Sequence, residues 1–579
     1  MKDFLKMMFA CVAGLLIFCV ASFFLMTATL VGIAALGEKQ PVMPREAVLQ
    51  INFDDLVLGE QTTEADPVAM LTSGSTVAPL GIYNAIKAIN AAAEDPAVKF
   101  IYMRPDNASG GLAQLEELRT ALKNFRNSGK AIVSYIESPS NAGYYLASVS
   151  DKIYMTVHDG GMSMLNGLSS RLIFLKDLLD ELGVNVQLIR HGKYKSAGEM
   201  YIRNSSSPEN MEQNKEMIDA VWSTYADEMA ESRGITAEAL NAMLNNLELN
   251  FPTDFLEKGL VDELVTREQL QQNLCNLFVA KNINDVKSIS LADYAKLKDV
   301  PNLKSQKKVA VIYAEGNIVD GNGTDGVAGD RFAKVIADVR NDDAVKAVVL
   351  RVNSPGGSVL ASEKIKAEIK LIQEKGIPVI ASYGDYAASG GYWISAGCDH
   401  IISNATTLTG SIGVFSMIPD IGGTIKDKLH VTLTPVNSNK HADMLGMTRP
   451  LTASEVDYMQ ASVERIYSKF TELVAEGRDM TVADVDAIAQ GRVWAGSDAL
   501  KIGLVDEIGT IEDAIRYAAL SIEGVESVND VQVVAYPKPQ TALESILESL
   551  TGSGESILAK LPFERGKVYA RIPYDITIE

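Results

Sequence analysis

The stretch Tyr383-Gly-Asp-Tyr-Ala-Ala-Ser-Gly-Gly-Tyr-Trp393 joins two kinds of local structure. Upstream, Ile377-Pro-Val-Ile-Ala-Ser-Tyr383 is rich in β-type residues and reads as a strand. Downstream, Gly390 to Ala396 reads as a helix. Ser389 therefore stands at a strand-to-helix turn among small residues. Such a turn exposes the hydroxyl, sets the Gly390 N–H beside it and points the positive end of a helix at it. Gly390 and Gly391 leave room for another backbone to approach. A plain glycine-rich turn in an α/β domain has the same composition, so the rest of the chain must discriminate.

Working outward, the same order of elements occurs twice. In the second half, Val309–Tyr313 reads as a strand, Arg331–Arg340 as a helix and Ala347–Val352 as a strand. Then come a loop, Asn353-Ser-Pro-Gly-Gly-Ser358, a helix to about Glu374 and the strand leading to Ser389. In the first half, Ala47–Phe53 alternates like a strand, Asp54–Pro79 reads as a loop and Leu80–Ala93 has helical spacing. Val98–Met103, a helix over Leu112–Asn127 and the strand Ala131–Tyr135 follow. Strand, helix, strand repeated in this way predicts βαβ units and parallel sheets, an α/β fold. Lys99-Phe-Ile-Tyr-Met-Arg104 parallels Lys346-Ala-Val-Val-Leu-Arg351. Lys258-Gly-Leu-Val-Asp-Glu-Leu264 likewise parallels Ile502-Gly-Leu-Val-Asp-Glu-Ile508 at an offset of about 245 residues. A whole domain is duplicated. The polar, Pro-containing stretch 299–306 marks the junction, giving an N-terminal repeat over 41–305 and a C-terminal repeat with its tail over 306–579. Each half also carries a long helical stretch, about Pro208–Ser232 and Ala453–Arg478, and Leu543–Leu561 has amphipathic spacing.

Bulk properties narrow the function classes. The 579 residues suggest two to four domains, and 47% hydrophobic content supports a large core. A formal net charge of −21 argues against a nucleic-acid partner, which needs a basic footprint. The four cysteines and five histidines show no metal-ligand spacing, and no cofactor motif is present. From Met7 to Gly37 there is no charged residue, with Lys2 and Lys6 ahead of the run. A spanning helix needs about 20 apolar residues, more than the core of a secretory signal. We therefore expect an uncleaved anchor within residues 1–40, with a cleaved signal of unusual length as the alternative. The preceding lysines favour a cytoplasmic N-terminus, with the body of the chain on the far side.

The duplication tests the serine. Alignment of the halves sets Asn141 opposite Ser389, so the first copy lacks the hydroxyl, with Ser140 one place away. A reactive serine needs a base. His400 and His441 are the nearest histidines, and neither lies in an evident motif. A lysine serves if burial lowers its pKa. Lys195, in His191-Gly-Lys-Tyr-Lys-Ser-Ala-Gly-Glu199, follows the strand Val184–Arg190 and has small and aromatic neighbours. Lys440, in Asn437-Ser-Asn-Lys-His441, competes, and a solvated loop lysine is the commonplace alternative for both. Gly390, with Gly356 or Gly357, can supply the two amides of an oxyanion hole.

These segments together resemble a known family. They are Arg351-Val-Asn-Ser-Pro-Gly-Gly-Ser358, the stretch around Ser389, Leu408-Thr-Gly-Ser-Ile-Gly-Val414, the Gly-Lys-Tyr-Lys-Ser-Ala segment and the run Gln490-Gly-Arg-Val-Trp-Ala-Gly496. With the N-terminal apolar run and the duplication, they look like the long form of bacterial signal peptide peptidase type A, also called protease IV. The resemblance covers about 500 residues. It implies a Clp protease/crotonase-like fold repeated twice and a serine endopeptidase without cofactor or metal. It further implies Ser389 as nucleophile, Lys195 as general base, Ser411 as the hydroxyl orienting the lysine, and Gly390 with Gly356 and Gly357 as the oxyanion hole. The implied setting is a homotetramer on the outer, periplasmic side of the inner membrane that cleaves remnant signal peptides. One departure is Gly198-Glu-Met-Tyr201, where such sequences often continue with a Glu-Pro-Phe-like run; it bears on the wall beside Lys195. Two other readings fit parts of the pattern: a crotonase-like acyl-CoA enzyme, and an inactive membrane scaffold.

Overall fold

The computed structural model describes residues 41–64, 77–539 except 301, 303 and 325, and 569–571, with scattered helical positions between residues 6 and 22. Most of the apolar run 7–37 and all of 543–561 lie outside the described residues. Among the described residues no helix is long and apolar enough to cross a membrane.

Two sheets, parallel except for the pairing of Leu408–Gly410 with Val493–Ala495 in the second, carry the duplication. The first runs Glu263–Val265, Lys152–Thr156, Ile132–Ile136, Val98–Arg104, Ala47–Asn52, Ser288–Ser290. The second contains, in the same spatial order, Glu507–Ile508, His400–Ser403, Val379–Ala388, Val345–Ser354, Lys308–Glu315, Gln532–Tyr536. Their central strands are near-continuous apolar runs buried on both faces, as in Val345–Ser354, because helices cover both sides of a parallel sheet. The helices Ile82–Glu94 and Gly329–Asn341 occupy matching places between the first and second strands of each repeat, as do Leu112–Asn127 and Val359–Glu374 between the second and third. One tyrosine anchors each copy in the same way. Tyr144 Oη donates to Leu260 O at 2.7 Å, and Tyr392 Oη donates to Leu504 O at 2.8 Å. This equivalence sets Asn141 opposite Ser389, as the sequence alignment has it.

The observed bounds differ from the sequence reading where strands meet turns. The strand expected to end at Tyr383 continues to Ala388, immediately before Ser389. The segment read as a loop after Val352 contains a short strand, Gly356–Ser358. Leu58–Gly59, inside the expected loop 54–79, pairs with Leu80–Gly81. These segments lack period-2 patterning and gain their strand character from pairing, Tyr386–Ala388 with Leu408–Gly410, Gly356–Ser358 with Tyr569–Arg571 and Leu58–Gly59 with Leu80–Gly81.

A third sheet draws strands from both halves. Its order is Val327–Ala328, Ile318–Val319, Gly356–Ser358, Tyr569–Arg571, Val414–Asp420, Asn185–His191. The last pair is antiparallel over seven residues, Asn185 to His191 against Asp420 to Val414. The first half thus sends a strand across to the second, and the long helix Pro208–Arg233 follows it back. That helix is capped by Ser207, whose hydroxyl accepts from Asn210 N, and stopped by Gly234 in the left-handed region at φ +65.

A buried polar seam fixes the two halves. Arg351, fully enclosed, donates to Glu60 at 2.7 Å and to Glu117 at 2.9 Å, and its guanidinium also reaches Ser382 Oγ and Tyr383 O. Glu117, on the first-half helix Leu112–Asn127, also accepts from Asn404 Nδ2 and Ile511 N. Its neighbour Glu116 accepts from Ala405 N and Thr406 N. In return, Ala113 N donates to Asp385 Oδ1 on the strand that leads to Ser389. Burial pushes the carboxyls of Glu116 and Asp385 up to about 7. Removing one member of such a cluster strands charge without a partner, at a cost of about 3–5 kcal/mol. Arg351→Met should therefore destabilise the chain by about that amount in urea denaturation. A loss below about 1 kcal/mol would show that the seam does not hold the halves together.

Candidate active site

The strand Val379–Ala388 delivers Ser389 into a backbone conformation that L residues seldom adopt, φ +56 and ψ −111. Holding a non-glycine residue there costs of order 1–3 kcal/mol. It is held by Ser389 N donating to Gly410 O at 2.8 Å and by Trp393 N donating to Ser389 O at 2.8 Å. The following helix, Gly390–Ser395, is six residues long, so its dipole is a lesser contribution than the fixed amide of Gly390. Ser389 is fully buried.

Lys195 reaches it from the first half. Its Nζ lies 2.8 Å from Ser389 Oγ, 3.0 Å from Ser411 Oγ and 3.1 Å from Ser411 O. These partners are uncharged oxygens, the Phe415 ring lies 6.0 Å away, and the lysine is 1% exposed. Burial alone drives its pKa well below the usual lysine range. The neutral amine then has a lone pair facing the Ser389 hydroxyl and N–H groups for the Ser411 oxygens. Such an amine can take the serine proton and return it to a leaving group.

The lysine is positioned by contacts from both halves. Tyr194 N donates to Gln490 O, and Gln213 Nε2 donates to Tyr194 O and Ser196 Oγ. Arg190 donates to Lys195 O at 2.7 Å and pairs with buried Glu199 at 3.3 Å. Glu199 also accepts from Ser207 N, so the departure at 198–201 builds the wall behind the lysine. Gly491, at φ +79, packs so closely that a Cβ there would stand 2.6 Å from Lys195 Cβ. The sequence reading did not find this positioning role for Gly491, Arg190 and Gln213. The run 490–496 stands out in the sequence, but its contact with Lys195 joins residues that are remote in the chain.

Gly356, Gly357 and Gly390 lie close together. A Cβ on Gly356, at φ +99, would stand 2.6 Å from Gly390 N, and one on Gly390 would stand 3.0 Å from Gly357 N. Two backbone amides thus meet beside the serine, the arrangement that stabilises a developing oxyanion. The competing residues are used elsewhere. Lys440 is exposed. His441 pairs with Glu455 at 2.9 Å, while His400 stacks on Tyr517 and faces Asp506 and Glu507. In the first half, Asn141 is tied to backbone, accepting from Asn166 N and Gly167 N, and Ser140 caps a helix by accepting from Gly143 N.

A serine hydroxyl facing a desolvated amine, beside paired glycine amides on an α/β scaffold, defines the site of a serine hydrolase. The chain belongs to peptidase family S49, whose profile matches residues 124–280 and 372–523, one region in each half. It is a serine peptidase of that family, duplicated. Protease 4 of Haemophilus influenzae is 33% identical over 548 residues, covering 92% of this chain and 88% of that protein. The chloroplastic serine protease SPPA of Arabidopsis thaliana is 32% identical over 484 residues, covering 81% of this chain and 69% of that one. Among solved structures, a point mutant of ClpP1 from Listeria monocytogenes aligns with 36% of this chain and 94% of its own at 15% identity and a TM-score of 0.24. A score this low leaves the fold to rest on the strand order itself.

Gly491→Ala should displace Lys195 and lower kcat about a hundredfold, while circular dichroism keeps the native content of helix and strand; positioning errors of this size carry penalties of that order. Activity within twofold of the parent would show that the close packing is dispensable. Only a neutral Lys195 is able to take up a proton, so a role as base predicts a rate that falls as pH drops through its lowered pKa. The half-maximal point of that limb should lie well below 10.5.

Proposed function

We propose that Ser389 is the nucleophile and Lys195 the general base of a peptide-bond hydrolase. The observation that carries this is the 2.8 Å approach of an uncompensated, buried amine to a strained serine. Lys195 takes the Ser389 proton as Oγ attacks the substrate carbonyl. Gly390, with Gly356 or Gly357, holds the oxyanion, and Ser411 orients the lysine. The lysine then protonates the leaving amine, and an acyl-enzyme forms at Ser389. Water, activated by Lys195 in turn, releases the acid and regenerates the serine. A site closed to charge and lined by Phe415 and Ala197 suits apolar peptides, which agrees with remnant signal peptides as substrates. The charge-free run 7–37 supports a single-pass anchor in the inner membrane, with the catalytic body on the periplasmic side. A homotetramer is the assembly that the family resemblance implies. The division of the chain at about residue 305 gives the base to one repeat and the nucleophile to the other.

Ser389→Ala should abolish hydrolysis of an apolar peptide ester and leave the unfolding midpoint within a few degrees of the parent. Lys195→Ala should do the same to activity, and Lys440→Ala should leave it intact. Full activity in Ser389→Ala, or loss in Lys440→Ala alone, would overturn the assignment.

A further inference from the structure

The antiparallel ladder that joins the first half to the second ends where His191 pairs with Val414. Lys195 lies four residues beyond His191, and Ser411 three residues before Val414. Both groups therefore sit past the end of the ladder, where strand pairing no longer fixes them. The run Gln490-Gly491-Arg492 bridges that gap with its backbone. Gln490 O accepts from Tyr194 N at 2.9 Å, Gly491 N donates to Ile412 O at 2.8 Å, and Arg492 O accepts from Ser411 N at 2.6 Å.

Arg492 adds a side-chain hold of a different kind. Its guanidinium packs over two aromatic rings, 4.9 Å from the centroid of Tyr194 and 4.3 Å from that of Trp494. Tyr194 immediately precedes Lys195 in the first half. Trp494 belongs to the second half, on the strand Val493–Ala495, where it pairs with Thr409. Two carboxylates of the first-half helix Pro208–Arg233 balance the charge. Arg492 pairs with Glu216 and stands 3.6 Å from Glu212, which also accepts from Tyr194 Oη at 3.0 Å. The arginine side chain is only 15% exposed, and contacts between a cation and aromatic rings strengthen as water is withdrawn. Gln213 crosses between the halves at the same place: its Nε2 donates to Tyr194 O at 2.9 Å and its Oε1 accepts from Val493 N at 3.3 Å.

We propose that Arg492 is a positioning residue for the hydrolytic reaction: its guanidinium clamps the Lys195 segment through Tyr194, while its carbonyl holds the Ser411 amide. One residue thus sets the amine and the hydroxyl that orients it in a single frame. The clamp calls for a planar cation. A lysine ammonium is a point charge that cannot lie flat against the rings and engage both carboxylates. The inference rests on the reading of Lys195 as general base, but the clamp itself is measurable without catalysis.

The test uses the full chain and an apolar peptide ester. Arg492→Ala should lower kcat about thirtyfold and leave KM within about twofold, because alignment is lost and no substrate contact is removed. Arg492→Lys, which keeps the charge, should remain within about threefold of Arg492→Ala. Combining Arg492→Ala with Tyr194→Leu should cost no more than the larger single effect, since both act through one stack. A kcat within about twofold of the parent, full recovery in Arg492→Lys, or additive losses in the double variant would each overturn the proposal. In the Ser389→Ala chain, Arg492→Ala should speed amide hydrogen exchange over residues 192–198 and 409–413 about tenfold. Unchanged exchange there would also overturn it. Activity retained in Lys195→Ala would refute the base instead, while faster exchange would still uphold the clamp. Should Arg492→Ala fail to fold, Trp494→Leu removes one ring of the stack at a partly exposed side chain and replaces it in every comparison, with an expected kcat loss of about tenfold.

Discussion

An amine enclosed in apolar and uncharged surroundings is the constraint from which the rest of the structure follows. Among the described residues Lys195 has no counter-charge as a partner, so burial favours its neutral form. That state persists only while water is kept out. Exclusion needs walls on every side, and no single repeat supplies them. The strand Asn185–His191 brings the lysine to the second half, Gly491 and Gly413 close on its stem, and Phe415 covers its head. Each contact is an ordinary packing or backbone interaction. Together they hold a residue that is normally a solvated cation in surroundings that favour its neutral form.

The duplication makes this enclosure possible and also divides it. Both repeats keep the same strand order and the same tyrosine anchor. At the turn they differ: Asn141 spends its amide on the backbone of residues 166–167, while Ser389 presents a hydroxyl. One copy has become a support for the other. Its helix Leu112–Asn127 carries Glu116 and Glu117 into the second half, and Glu117 meets Arg351 beside the strand that ends at the serine. Charges buried this deeply are costly unless each is paired and hydrogen-bonded. Arg351 pairs with Glu60 and Glu117, and Glu116 and Asp385 accept hydrogen bonds across the two halves, so the cluster strongly favours one relative placement of the halves.

The mixed sheet shows the same dependence on partners that are remote in the chain. Gly356–Ser358 and Val414–Asp420 are strands because partners complete their ladders, and the partner between them comes from the far end of the chain.

The repeat, the parallel α/β class and most element bounds were legible in the linear chain, because strand and helix periodicities are local properties. The helices Leu112–Asn127 and Ala453–Arg478 occur as their spacing predicts. Ser389 was legible as a residue at a strand-to-helix turn, and Lys195 as one of two candidate lysines. Choosing between Lys195 and Lys440 was not possible from the residues alone, since both lie in polar, small-residue loops; the family resemblance favoured Lys195. Only the tertiary structure buries the first and leaves the second exposed. The strands at Gly356–Ser358 and Tyr569–Arg571, and the close approach of Gly491 to the lysine, were likewise decided in three dimensions. The physical reason is common to all of them: burial, and the pKa shift it produces, depends on chain segments some two hundred residues apart meeting in space. No local pattern records that meeting.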